Sequence, residues 1–204
     1  MTKRWFRERK NEYYYRLAKI EGYRSRSAYK LLQISNKYHI LKRGGVVVDL
    51  GAAPGGWMQI ARKLVGDKGY VLGVDLEPIL DLNYTNVFSI IGDVEKFRGC
   101  DILEKLPRDA DVVLSDLSPN VSGTWELDHT RQIGLAEKAF ELAIEILSSD
   151  GIFLVKAFHG KHLMEFVEKI KNDFRIIKII KPKASRKKSS EIYIVALGFK
   201  AKHQ

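Results

Sequence analysis

The chain has 204 residues, 45% of them apolar, a net charge of +10 and one cysteine, Cys100. This is enough for one domain with a full core, and it excludes a disulfide-stapled scaffold or a low-complexity disordered chain. Met1 to Lys10 is too charged for a secretory signal and no apolar run approaches the roughly 20 residues that span a bilayer, so a cytoplasmic protein with no membrane contact is expected.

In chain order, residues 1–43 come first, with 13 Lys/Arg against 3 Glu. Trp5, Phe6, Tyr13, Tyr14, Tyr15, Tyr23 and Tyr29 are interleaved with these charges. A basic helix is expected over 5–20. A second is expected over 27–38, with Ser25 or Ser27 as N-cap and Ala28, Leu31, Leu32 and Ile34 as its apolar positions. From residue 44 strands and helices alternate. Val46 to Leu50 reads as a buried strand, and Pro54 to Val65 as a helix whose first turn suits proline. Tyr70 to Val74, Val87 to Ile91 and Asp111 to Ser115 are the next strands. Leu117 to Asp128, with Pro119, Asn120, Ser122 and Gly123, reads as an irregular segment. Leu127 to Leu147 is a long helix, Gly151 to Lys156 a strand and Lys161 to Lys171 a helix. Phe174 to Ile180 and Ile192 to Phe199 are the last strands.

Strand–helix alternation implies an α/β fold: a mostly parallel sheet with helices on both faces. The link between the final two strands is too short for a parallel crossover. They therefore pair as a hairpin, which makes the last of seven strands antiparallel. One domain over 1–204 is expected, with 1–43 as a short basic helical extension and 44–204 as the core. Ligands of such sheets bind beyond the carboxyl ends of the strands, where Asp49, Asp75, Asp116 and Lys156 fall, with Asp93 just past one end.

The charge is segregated along the chain. The first 43 residues sum to +10, residues 44–160 to −8, and residues 161–204 to +8. If the basic ends share one face, they form the footprint of a nucleic-acid surface; the competing reading is solubility alone. Arg7, Arg9, Lys10, Arg24 and Arg26 are candidate phosphate contacts, as are Lys183, Arg186, Lys187 and Lys188.

Gly51, Gly55 and Gly56 sit in a turn after the first core strand, where glycine lets backbone approach a ligand closely. Asp75 follows Gly51 by 24 residues, the place of a carboxylate that binds both hydroxyls of an adenosine ribose. The Gly-x-x-x-Gly-Gly spacing differs from the Gly-x-Gly-x-x-Gly of nicotinamide enzymes. Asp93 is placed to accept from an adenine amino group, and Trp57 either borders the cofactor or packs in the core. Lys30, Asp116, Lys156 and Glu191 lie at the edges of apolar runs and are candidates to converge on one hydroxyl. Lys156, at the end of a central strand, serves there as a base or as a holder of the oxygen. Taken singly, each is also readable as a surface charge or simple ion pair. No metal is expected.

Five segments together resemble one family. They are Arg26-Ser27-Ala28-Tyr29-Lys30-Leu31-Leu32, Asp49-Leu50-Gly51-Ala52-Ala53-Pro54-Gly55-Gly56-Trp57, Leu114-Ser115-Asp116-Leu117-Ser118-Pro119-Asn120, Leu154-Val155-Lys156-Ala157-Phe158 and Ser189-Ser190-Glu191-Ile192-Tyr193. The resemblance is to the FtsJ/RrmJ ribose 2′-O-methyltransferases and covers about residues 20–200. It implies a Rossmann-like class I methyltransferase fold, S-adenosyl-L-methionine as cofactor, and a Lys30, Asp116, Lys156, Glu191 tetrad with Lys156 as proton acceptor. It also implies cofactor contacts at Gly55, Trp57, Asp75, Asp93 and Asp116. The implied substrate is a uridine of large-subunit rRNA near the peptidyl-transferase centre, as RNA or within the large ribosomal subunit, and the enzyme is expected to act as a monomer. The resemblance includes archaeal relatives with an extra C-terminal RNA-binding domain; here the basic ends are expected to hold the RNA. Rival readings are a tRNA or mRNA-cap enzyme of the same family, a noncatalytic RNA-binding assembly factor, and a nicotinamide oxidoreductase.

Overall fold

A computed structural model describes residues 13–186 and 188–200. Two helices open it, α1 (Tyr13–Ile20) and α2 (Ala28–Tyr38). Residues 5–12 of the expected first helix, and with them Trp5, Phe6, Arg7, Arg9 and Lys10, lie outside the described residues, as does Lys187.

The core then alternates: β1 (Val46–Leu50), α3 (Gly56–Val65), β2 (Tyr70–Asp75), β3 (Val87–Ile91), α4 (Gly99–Leu103), β4 (Ala110–Ser115), α5 (Trp125–Ile146), β5 (Leu147–Phe158), α6 (Leu163–Lys171), β6 (Phe174–Ile180) and β7 (Glu191–Phe199). Among the described residues the seven strands form one sheet, in the order β3-β2-β1-β4-β5-β7-β6. The first five strands run parallel. β7 is antiparallel to both neighbours and lies between β5 and β6. The strand order reverses beside β1 and β4, so the carboxyl ends of these strands flank the crevice where such sheets bind ligands.

Alternating side chains feed two apolar layers. Val47, Val71, Val112, Leu114 and Leu154 pack under α2 and α3. Val46, Val48, Leu50, Val113, Phe153 and Val155 pack under α5 and α6. A strand buried on both faces reads as a near-continuous apolar run, as β1 does apart from Asp49.

Local geometry departs from the sequence reading in three places. Pro54 is outside α3: it follows a cis bond from Ala53, and the helix starts at Gly56 after Gly55 in the left-handed region (φ 102°). α5 begins at Trp125, so the irregular segment ends at Thr124. β5 begins at Leu147, not Gly151, because Ser148 to Gly151 are looped out between the pairs Ala110↔Leu147 and Val112↔Ile152. Ser-Ser-Asp-Gly reads as a turn, and here that turn chemistry serves an interruption within one strand. The sequence reading also passed over α4 and the 3-10 turn Val94–Lys96.

Candidate active site

Four elements meet at the carboxyl end of the sheet and build one continuous chain of polar contacts. α2 contributes Lys30, whose Nζ donates to the Glu191 carboxylate at 2.7 Å and to the Tyr193 hydroxyl at 3.0 Å. The Tyr193 hydroxyl in turn donates to Asp116 Oδ1 at 2.8 Å. From β5, Lys156 Nζ lies 3.3 Å from Asp116 Oδ1 and donates to the Asp116 main-chain oxygen at 2.8 Å. The order is Glu191, Lys30, Tyr193, Asp116, Lys156. The structure brings Lys30, Asp116, Lys156 and Glu191 together in this chain.

The strands explain the convergence. Lys156 pairs with Tyr193 and Phe158 with Glu191 across β5 and β7. Residues opposite each other in an antiparallel ladder share a face, and so do residues two apart on one strand. Asp116 immediately follows β4, which pairs with β5 through Ser115↔Val155. Lys30 reaches the group from a helix packed on that face. Lys30 and Lys156 are each 5% exposed, so both ammonium groups sit in a largely dry site whose charges are matched by carboxylates.

Tyr193 is the member that sequence reasoning missed. It is fully buried, its ring lies 5.8 Å from that of Trp57, and Lys30 Nζ sits 5.5 Å above it. The available signal was its position two residues after Glu191 on a strand. Burial pushes the Tyr193 hydroxyl well above its ordinary range, and the charges of Asp116 and Glu191 push it further. It is therefore a neutral donor to Asp116. Burial alone would raise the Asp116 carboxyl, but Lys156, Lys30 and the Tyr193 hydroxyl outweigh it and hold it below the usual carboxylate range.

Beside this chain lies a cavity of about 630 Å³, lined by Gly51, Ala53, Asp75, Leu76, Asp93, Asp116 and the segment Leu117 to Asn120 among others. Gly51 has φ 79°, and a Cβ there would meet the main chain of Leu117 at 3.0–3.1 Å, so glycine is required for the loop to pass. Asp75 holds the loop: its carboxylate accepts from Ala53 N at 2.8 Å and from Glu77 N at 2.9 Å. Asp93 caps the following turn through Glu95 N at 3.1 Å and lies at the cavity wall. Asp49, behind the loop, is wholly buried and its carboxylate has no hydrogen-bond partner among the described residues. Burial first, then the charges of Asp116 and Asp75, push its carboxyl well up.

Three expected cofactor residues lie differently. Gly55 and Gly56 pack against Arg24 and Ser25, not along the cavity. The Trp57 indole is in the core and donates to Ser27 O at 2.8 Å. The Gly55 amide is also taken within the turn, donating to Ala52 O at 2.6 Å. Arg24, expected on a phosphate, instead donates to Pro54 O at 3.1 Å and Asp81 O at 2.8 Å, and also to Leu80 O. It ties the glycine loop to the segment after Asp75, because three carbonyls converge where a guanidinium can bridge them.

Among the described residues, α1, α2 and the β6–β7 link adjoin one another. Ala18 of α1, Tyr29 of α2 and Ala184 of the β6–β7 link form one small apolar cluster. Gln33 bridges the same parts, donating to the Tyr14 hydroxyl at 3.0 Å and accepting from Ala184 N at 3.2 Å. Ser185 then donates to Glu191 Oε1 at 2.8 Å, joining this surface to the charge chain.

A doubly wound sheet with one inserted antiparallel strand, an adenosine-sized crevice and a Lys-Asp-Lys-Glu cluster at its rim defines a Rossmann-like methyltransferase. The model of the FtsJ-like methyltransferases matches residues 23–199, and the chain belongs to that family. It is 46% identical to ribosomal RNA large subunit methyltransferase E of Methanocaldococcus jannaschii, over 98% of this chain and 83% of that one. It is 45% identical to the protein of the same name from Methanothermobacter thermautotrophicus, over the whole of this chain and 97% of the other. A Plasmodium falciparum protein provisionally assigned as a ribosomal RNA methyltransferase superposes with a TM-score of 0.76 at 27% identity, covering 87% of this chain and 98% of that one. The cofactor is S-adenosylmethionine, and the cavity at the carboxyl end of the sheet, walled by Gly51, Asp75, Asp93 and Asp116, fits it.

Proposed function

We propose that this protein transfers the methyl group of S-adenosylmethionine to a ribose 2′-hydroxyl of large-subunit rRNA. In its most specific form, drawn from the family resemblance, the acceptor is a uridine near the peptidyl-transferase centre. The observation that carries the reading is the buried chain from Glu191 to Lys156 at the rim of the cofactor cavity. A 2′-hydroxyl is a weak nucleophile that must be aimed and must lose its proton. Bound S-adenosylmethionine supplies an electrophilic methyl group beside Asp116.

The site residues divide the remaining work. Asp75 and Asp93 hold the ribose and adenine ends of the cofactor, and the loop at Gly51 and Ala53 borders its amino-acid end. Asp116 faces both cavity and tetrad, and its negative charge favours the sulfonium. Lys156 is oriented by two acceptors of one residue, the side-chain and main-chain oxygens of Asp116. Its remaining direction is available to the acceptor oxygen, whose proton it takes as a neutral amine, after giving up one of its own to solvent. Lys30, held by Glu191 and Tyr193, supplies positive charge to the developing alkoxide. The joined basic surface of α1 and the β6–β7 link, with Lys183, Arg186 and Lys188, holds phosphates next to Glu191. The protein is expected to act as a cytoplasmic monomer on rRNA or on the large subunit; among the described residues no helix is long and apolar enough to cross a membrane.

The test is methyl transfer from labelled S-adenosylmethionine to deproteinised rRNA, isolated large subunits, tRNA and capped mRNA, with 2′-O-methyl sites then mapped. One methylated ribose in large-subunit rRNA is the expected result. Label on tRNA or cap alone would move the substrate elsewhere in the family, and no transfer to any RNA would overturn the reading.

A further inference from the structure

Just beyond the charge chain, at the end of β5, four aromatic rings stack in a slab that the reaction does not use. Trp125 opens α5, with its ring centroid 5.9 Å from that of Phe158 and an angle of 19° between planes. It is 5.7 Å from His129, again at 19°. His129 is 5.7 Å from His162 at 15°. These are offset-stacked geometries, as aromatic quadrupoles favour.

The inner part of the slab has a structural job. His129 is buried, its Nε2 accepts from His162 N at 3.2 Å, and a Cβ on Gly160 would fall 2.6 Å from its ring. It wedges the β5–α6 loop onto α5. Trp125 is different, because it is 47% exposed and caps the slab. Its backbone is fixed from below: Asp128 is buried and accepts from Ser122 N, Ser122 Oγ and Gly123 N at 2.8–3.0 Å, locking the turn that leads into α5. A large aromatic ring held flat on a rigid mount and left half-open to solvent contributes little to the core.

Its position gives the reason. Phe158 is two residues past Lys156 on the same strand and faces Glu191 in the ladder. The slab therefore begins two residues beyond Lys156, at the carboxyl end of β5, within one strand step of the face that receives the acceptor ribose. Lys161 and His159 lie on the same loop, opposite the exposed carboxylates of Glu126 and Glu165, so the approach carries charge of both signs. We propose that Trp125, backed by Phe158, is a stacking platform for an unpaired nucleobase of the RNA strand that carries the acceptor ribose. This rests on the RNA-methyltransferase reading and adds to it how the strand is splayed: phosphates on the basic face, ribose at Lys156, one base on Trp125. Single-stranded RNA is recognised in this way by exposed aromatic faces, with little dependence on base identity.

The experiment compares wild type, W125A and W125F for affinity to an rRNA fragment bearing the mapped site, at several salt concentrations, with S-adenosylmethionine affinity as the fold control. W125A is expected to raise the RNA Kd by about 5- to 150-fold, the range for losing one stacked base. The slope of log K against log salt should stay unchanged, since no phosphate contact is lost. W125F should recover most of the affinity. RNA in which the stacked nucleotide is made abasic should bind wild type more weakly and lose nothing further with W125A. That cycle uses the native protein on one side and keeps the proposal testable if W125A folds poorly. Wild-type RNA affinity in W125A, or additive losses with every abasic position near the site, overturns the platform while leaving methyl transfer standing. Failure of wild type to methylate RNA would instead sink the underlying reading.

Discussion

Replacing Tyr193 by Phe probes the charge chain at its centre. The hydroxyl accepts from Lys30 and donates to Asp116, at 3.0 and 2.8 Å, in a fully buried setting. A hydrogen bond to a charged partner contributes about 1.5–3 kcal/mol. Both partners keep a second contact, Lys30 with Glu191 and Asp116 with Lys156, so the net loss should be near the lower end, about 2 kcal/mol. If the loss falls wholly on the aimed, reactive arrangement, single-turnover methyl transfer slows about thirtyfold. If it falls on folding, the melting temperature drops by about 4–8 °C. A pH profile separates these outcomes from mere repacking. Asp116 is held below its ordinary pKa in the folded state, so its ionised form contributes stability above the unfolded value of about 3.9, and that contribution is lost as pH falls through the lower folded value. The Tyr193 hydroxyl is one cause of the depression, so without it the loss begins at higher pH. A Y193F enzyme with wild-type rate, melting temperature and acid limb would refute the role given to the hydroxyl.

Four further outcomes are expected. K156A should abolish methyl transfer while leaving S-adenosylmethionine affinity, measured by calorimetry, nearly intact. D75A should weaken that affinity by about 1.5–3 kcal/mol through loss of charge-assisted bonds, with unchanged binding removing Asp75 from the site. R24A should also weaken cofactor binding, since three carbonyls of the two cavity-edge segments lose their common donor, while the salt slope of RNA binding stays as in wild type. D49N should melt higher than wild type near neutral pH. The Asp49 carboxyl is raised by burial, so its favourable neutral form is fully present below about pH 3.9 and its contribution declines as pH rises toward the folded value. An amide removes that decline, and an unchanged melting curve between pH 5 and 8 would count against it.

The mostly parallel sheet and the polar residues at its carboxyl edge were legible because strands announce their ends. Asp49, Asp75, Asp116 and Lys156 each close an apolar run or lie near its end, and in a parallel sheet all such ends point one way. The short link between β6 and β7 fixed their antiparallel pairing by length alone. What the sequence hid depends on contacts between distant segments. Arg24 reads as one more cation in a basic block, and only the approach of residues 54, 80 and 81 makes it a clamp. Tyr193 reads as apolar filler until the Lys30 ammonium is placed beside it. Ser148 to Gly151 carries genuine turn chemistry, and no local signal says that the strand resumes its partner after the interruption.

β7 is late in the chain but interior in space, slotted between β5 and β6. It delivers Glu191 and Tyr193, the two groups that embrace the Lys30 ammonium. A nascent polypeptide that has emerged only through β6 therefore has two strands with unmet edges and a lysine without its counter-charge. Insertion of the closing strand heals both defects in one event. The last strand to be made is thus the one that joins β6 to the rest of the sheet and closes the polar chain at its edge.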